Sequence, residues 1–186
     1  MADAEVRVAG SADTPEIARI QVSTWRSAYA DVLPVEVLDS MDPAEAREQW
    51  EEAVGGDSAH VLLAAEGGWT VGFCAAGWAP EQEVAAADGT APDDAGATAL
   101  VSALVVEPRW GRRGHGGRLM GEMAQRLHQH GATRGIVWLP EADEASRAFF
   151  HSVGWAPDGT MRTLDAGGRP VREMRFTGSL ELHFVQ

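Results

Sequence analysis

The run Leu100–Val106, dominated by Leu, Val and Ala, is followed by Pro108 and then by Gly111-Arg112-Arg113-Gly114-His115-Gly116-Gly117. After these, Leu119, Met120, Met123 and Leu127 recur at helical spacing. A short β-branched run of this kind reads as a strand covered on both faces, and Pro108 ends its ladder by removing a donor. The stretch is therefore a strand, a Gly/Arg turn and a helix. The first turn of a helix carries unpaired N–H groups and partial positive charge, so a glycine-rich turn feeding it forms an anion cradle. Arg109, Arg112, Arg113 and Arg118 reinforce it, and a phosphate-bearing ligand is the expected occupant. A P-loop is excluded because the chain contains no Lys. A dinucleotide fingerprint begun at Gly114 fails because Leu119 stands where its third Gly is needed.

Length and charge narrow the class further. With 186 residues and 45% apolar content, a single domain over 1–186 is expected. No 18-residue apolar run occurs and the N-terminus lacks signal-peptide character, so a cytoplasmic protein without a membrane partner is expected. Cys74 is the single cysteine, which excludes an intrachain disulfide and a multi-Cys metal site; no metal is expected. All fifteen basic residues are Arg, yet the net charge is −13, a balance that disfavours nucleic acid. Between Arg47 and Arg109 there are eleven Asp or Glu and no Arg, which points to negative potential beside a small positive cradle.

Along the chain, Glu5–Ala9 reads as a first strand. Ser11 or Asp13 is placed to cap a helix running to about Tyr29, with Trp25 and Tyr29 on one face. A second helical region follows Pro34, broken near Asp42-Pro43, and ends at Gly55-Gly56. His60–Glu66 and Thr70–Trp78 read as a hairpin across Gly67-Gly68. Residues 79–98, rich in Ala, Gly, Pro and Asp, contain little that can pack and read as an exposed, mobile acidic insertion. The helix after the cradle should stop at Gly131, and His128 and His130 lie on different faces of it. Gly135–Leu139 is a fifth strand, and residues 160–164 and 171–177 form a last hairpin across 165–168.

Val106, Pro108, Gly114 and Gly116 resemble the acyl-CoA-binding motif of the GNAT acetyltransferase superfamily, Val-x-Pro-x-x-Gln/Arg-x-x-Gly-x-Gly/Ala. Gly111 departs from it at the Gln/Arg position, with Arg112 adjacent. The stretch from Asp143 to Gly154-Trp155 resembles the family's second signature, with Asp143 in place of Asn and Phe150 in place of a Tyr that in many members protonates the leaving thiolate. Thr24–Tyr29 with Leu33-Pro34, and Glu173–Phe176, are similar to the family's first helix and final strand.

The resemblance implies an α/β fold of the α+β type. Its mixed, mostly antiparallel sheet of about seven strands has flanking helices and is splayed between strands four and five. It implies acetyl-CoA as co-substrate, held by Leu104, Val105 and Val106 along strand four, by Gly111, Arg112, Arg113, Gly114, His115, Gly116 and Gly117 at the phosphates, and by Asp143 and Phe150. It implies transfer of an acetyl group to an amine of a small molecule or peptide. Many members place a basic Glu on strand four, and none lies between Thr98 and Val106. Tyr29 and Glu107 are the catalytic candidates, with His60, His115 and His151 unassigned. A catalytically impaired acyl-CoA-binding or regulatory module is the alternative, motivated by Gly111, Phe150 and the missing Glu. Oligomeric state and the length of the acyl group stay open.

Overall fold

The computed structural model describes residues 4–182. In chain order the elements are β1 (Ala4–Val8), α1 (Thr14–Ala28), α2 (Val35–Asp39), α3 (Pro43–Gly55), β2 (Ala59–Glu66), β3 (Trp69–Trp78) and α4 (Glu81–Val84), then β4 (Thr98–Val106), α5 (His115–Gln129), β5 (Arg134–Pro140), α6 (Glu144–Ser152), β6 (Ala156–Ala166) and β7 (Arg169–Ser179). The strands form a seven-stranded sheet in the order β1-β2-β3-β4-β5-β7-β6. It is mostly antiparallel, and its parallel pair, β4 with β5, is in register over Thr98–Leu100 and Arg134–Ile136. The ladder covers three of the nine residues of β4.

The chain divides into two compact units, the first comprising residues up to Ala76 with Ala103–Met123, the second Gly77–Ser102 with Ala124 onward. In the first, Ile17 and Ile20 of α1 pack with Val61 and Leu63 of β2, Phe73 and Ala75 of β3, and Val105 of β4. Trp50 of α3 meets Phe73 edge to face at 5.0 Å and donates its indole N–H to Gln21. Leu62, Ala64 and Cys74, which alternate with those residues, are equally buried. Both faces of these strands are therefore covered, which is why they read as unbroken apolar runs. Gly72 lets β3 and β4 close up: a Cβ there would stand 2.5 Å from the Val105 carbonyl oxygen. The hairpin between β2 and β3 turns through Gly67 and Gly68, both at positive φ, as a two-residue turn requires.

One expectation about caps is corrected. Neither Ser11 nor Asp13 caps α1 with its side chain; Asp13 instead accepts from the Gly10 amide and pairs with Arg7 at 2.7 Å. Asp42 does cap α3, accepting from the Ala44 amide.

In the second unit, Trp155 is the keystone. Its ring is 1% exposed, its indole N–H donates to the Ser179 carbonyl, and it lies against Gly135 of β5 and Gly178 of β7, where any Cβ would overlap it. Phe150 of α6 packs on the same indole at 5.4 Å.

The segment 79–98 is better packed than its composition suggests. Val84 is 1% exposed, the backbone carbonyls of Glu83 and Ala85 both accept from Arg175, and Asp94 pairs with Arg134. The reading of an insertion with little to pack is corrected by these contacts, whose partners lie tens of residues away. The last hairpin is also longer than expected. It turns on Gly167 and Gly168 alone, and β6 begins directly after Trp155 with a register shift between Pro157 and Met161.

Candidate active site

The cradle forms at the end of β4. Glu107 follows the strand, Pro108–Trp110 make one 3-10 turn, and Gly111–Gly114 lead into α5 at His115. Gly111 is extended, whereas Arg112 adopts φ 61° and Gly114 φ 82°. The first bond of α5 runs from the Arg118 N–H to the Gly114 carbonyl. The amides of His115, Gly116 and Gly117 thus belong to the first turn, where a helix has no carbonyls of its own to offer them. Gly111, Arg112, Arg113 and Gly114 are exposed. Preceding them, Val105 is buried in the core while Leu104 and Val106 are half-buried.

The four arginines are not equivalent. Arg109 pairs with Glu107 at 2.7 Å, Arg113 pairs with Glu66 at 3.1 Å with its guanidinium over Trp110, and Arg118 donates to the Arg113 carbonyl. Among the described residues Arg112 has no partner and Arg118 has only that carbonyl, so these two guanidiniums keep charge that no carboxylate offsets.

Glu107 was a candidate base, and the structure argues against it. Its side chain is 7% exposed and both oxygens are taken, Oε1 by Arg19 and Oε2 by Arg109, each at 2.7 Å. Burial pushes its carboxyl upward, but the two guanidiniums outweigh that and hold it below the usual range. A carboxylate so held is a poor proton acceptor near neutrality. Glu107 fastens α1 to the end of β4.

Tyr29 follows α1 as its C-terminal cap residue, half-buried, with its ring edge-on to Trp25 at 5.5 Å. His115 keeps its amide in the first turn, where the phosphates are expected, while its ring turns inward, 2% exposed, and shares a 2.6 Å hydrogen bond with Glu66. Asp143 and Phe150 both make contacts within the protein. Asp143 caps α6, taking the Ser146 amide on one oxygen and the Ser146 hydroxyl on the other. Phe150 is 2% exposed, edge-on to Phe149 and tilted against Trp155, so its ring belongs to the core. Cys74 is fully buried, and burial pushes its thiol up to about 12, which removes it as a nucleophile.

Five of the eleven acidic residues between Arg47 and Arg109 are paired with arginine: Glu51, Glu66, Glu83, Asp94 and Glu107. The negative potential of that region is correspondingly weaker than its composition implies. Glu66 is the site residue that sequence reasoning missed, because the only signal at that position was a strand end before a turn.

The model of the acetyltransferase (GNAT) family matches residues 19–155, most of the chain and all of the cradle. The chain belongs to the GNAT acetyltransferase family. The uncharacterized N-acetyltransferase YuaI of Bacillus subtilis is similar to this GNAT protein at 30% identity over 138 residues, covering 73% of this chain and 71% of YuaI. Among solved structures, the PaiA N-acetyltransferase of Thermoplasma acidophilum in complex with coenzyme A superposes with a TM-score of 0.75 at 14% identity, covering 95% of this chain and 99% of that one. The yncA protein of Salmonella typhimurium, solved with acetyl-CoA, gives 0.71 at 18% identity, covering 99% and 98%. At these identities the two structures establish the GNAT fold. No helix among the described residues is long and apolar enough to cross a membrane.

Proposed function

We propose that this protein transfers the acetyl group of acetyl-CoA to the amine of a small molecule or peptide. The observation that carries the reading is the cradle itself: first-turn amides of α5 over Gly116 and Gly117, an exposed turn, and two arginines, Arg112 and Arg118, that pair with no carboxylate among the described residues. A diphosphate suits such a site because amides and a guanidinium both donate to its oxygens, and the helix dipole favours its charge. The backbone of Leu104–Val106 leads into the turn and supplies donors and acceptors for the amide groups of a pantetheine arm.

In the reaction the amine lone pair attacks the thioester carbonyl, a C–N bond forms, and the C–S bond breaks as the electron pair returns to sulfur. One proton leaves nitrogen and one reaches the thiolate. A thiol of pKa about 8.5 is a good leaving group, so a dedicated acid is dispensable. Phe150 carries no proton to give. With Glu107 clamped by two arginines, the amine loses its proton to water, which requires an amine that is partly neutral at working pH.

The test is thiol release from acetyl-CoA with a panel of amines. Turnover dependent on an amine supports the reading, and hydrolysis indifferent to every amine contradicts it. Tyr29→Phe should keep most of kcat. A loss of about 100-fold with acetyl-CoA binding unchanged would make Tyr29 the acid.

A further inference from the structure

Glu66 ends β2, forty-nine residues before His115, yet its carboxylate holds the cradle from two directions. Oε2 accepts from His115 Nε2 at 2.6 Å, in the tautomer a carboxylate requires, and Oε1 accepts from Arg113 Nη1 at 3.1 Å. These residues flank Gly114, whose φ of 82° is the last left-handed step before the helix. The Arg113 guanidinium lies 4.8 Å from the Trp110 ring centroid, and Trp110 meets the His115 ring edge-on at 6.4 Å. Arg118 closes the turn from the helix side by donating to the Arg113 carbonyl at 3.1 Å.

A histidine in a helix's first turn faces the positive end of the dipole, where a polar ring pulled out of water needs a compensating partner. Glu66 is that partner. The side chain of His115 is 1% exposed and that of Glu66 15%, so the bond is shielded from competing water. A leucine would fill the same space without tying the turn to β2. The polar pair therefore does something that apolar packing cannot: it sets the height and direction of the first-turn amides relative to the sheet.

We propose that Glu66 and His115 form a positioning latch that holds the phosphate-binding turn in its CoA-ready geometry, with Arg113 as a second tie. The inference rests on the reading of the cradle as a CoA site. The latch acts through the turn's geometry, so its loss is read in cofactor affinity. If its loss lets the turn sample the competent geometry only a tenth of the time, the dissociation constant rises about tenfold.

The experiment compares wild type with His115→Leu, which keeps the packing volume, and Glu66→Met, which keeps the side-chain length, can accept from neither His115 nor Arg113 and leaves the His115 ring in place. CoA affinity is read by calorimetry, folding by thermal melts without ligand, and kinetics as KM for acetyl-CoA against kcat. The latch predicts folded variants whose CoA dissociation constant rises about tenfold or more, with the loss falling on KM more than on kcat. Should His115→Leu fail to fold, Glu66→Met alone decides. CoA affinity within twofold of wild type in the folded variants overturns the latch while leaving the CoA site standing. A wild-type protein that binds no CoA overturns both.

Discussion

Arg19 of α1 and Glu107, the residue after β4, meet at 2.7 Å, with Arg109 on the other carboxylate oxygen at the same distance. Because Glu107 is held below its ordinary range, its contribution to stability is complete above the unfolded value of about 4.3 and is lost as pH falls through the lower folded value. Glu107→Gln should therefore cost about 1–3 kcal/mol at pH 7, a range set by hydrogen bonds to charged groups. The gap from wild type should narrow from about pH 4 downward. Urea melts at pH 7 and at pH 3 check this; a gap that stays constant would show that the carboxylate's charge is irrelevant.

Arg112 combines a left-handed backbone with a guanidinium that has no partner among the described residues. Arg112→Gly relieves strain of about 1–2 kcal/mol and gives back about 0.5–1 kcal/mol in chain entropy, so stability should hold or rise slightly. CoA affinity should fall about tenfold, as befits a lost charge-assisted hydrogen bond. Arg112→Gln, which keeps the strain and loses the charge, should match the affinity loss without the gain in stability. Unchanged affinity in both would assign the phosphates to other cations.

The indole of Trp155 leaves no room at Gly178 or Gly135. Gly178→Ala should destabilise by about 1–3 kcal/mol, the usual cost of overpacking. Gly159→Ala, at an open position with φ 88°, tests strain alone and should cost about 1 kcal/mol. Equal effects at the two sites in urea melts would contradict the packing account.

Cys74 should resist alkylation. With the thiol buried and raised to about 12, iodoacetamide at pH 8 should modify the native protein at least ~100-fold more slowly than the unfolded chain. Mass spectrometry after timed quenching reads this directly, and rapid native labelling would place the thiol at the surface.

What could be read from the chain was local. The strand, turn and helix around Gly114 announce themselves through periodicity and turn residues within twenty positions, and Gly67-Gly68 fixes a hairpin by its own backbone preference. What could not be read depends on partners far along the chain. Ala156–Gly159 looks like a breaker-rich connection, yet it is a strand, because Ala156 and Pro157 find Thr177 and Phe176 on β7, and a Pro is tolerated at the sheet edge. Val84 is buried in a stretch whose composition suggests solvent. Motif position alone did not show that Asp143 caps α6 through Ser146 or that Phe150 packs on the Trp155 ring. Glu66 carried no signal beyond a strand end, since its two partners, Arg113 and His115, lie far along the chain.

On the proposed reading, CoA sits on the first-turn amides of α5. Calorimetric titration of CoA into wild type and Gly116→Val tests it most directly, because a branched side chain at Gly116 would stand where the diphosphate oxygens approach. The account predicts saturable binding by wild type and a loss of at least ~100-fold, or about 2.7 kcal/mol, in the variant, with its far-UV circular dichroism unchanged. A folded Gly116→Val protein that binds CoA with wild-type affinity would contradict it.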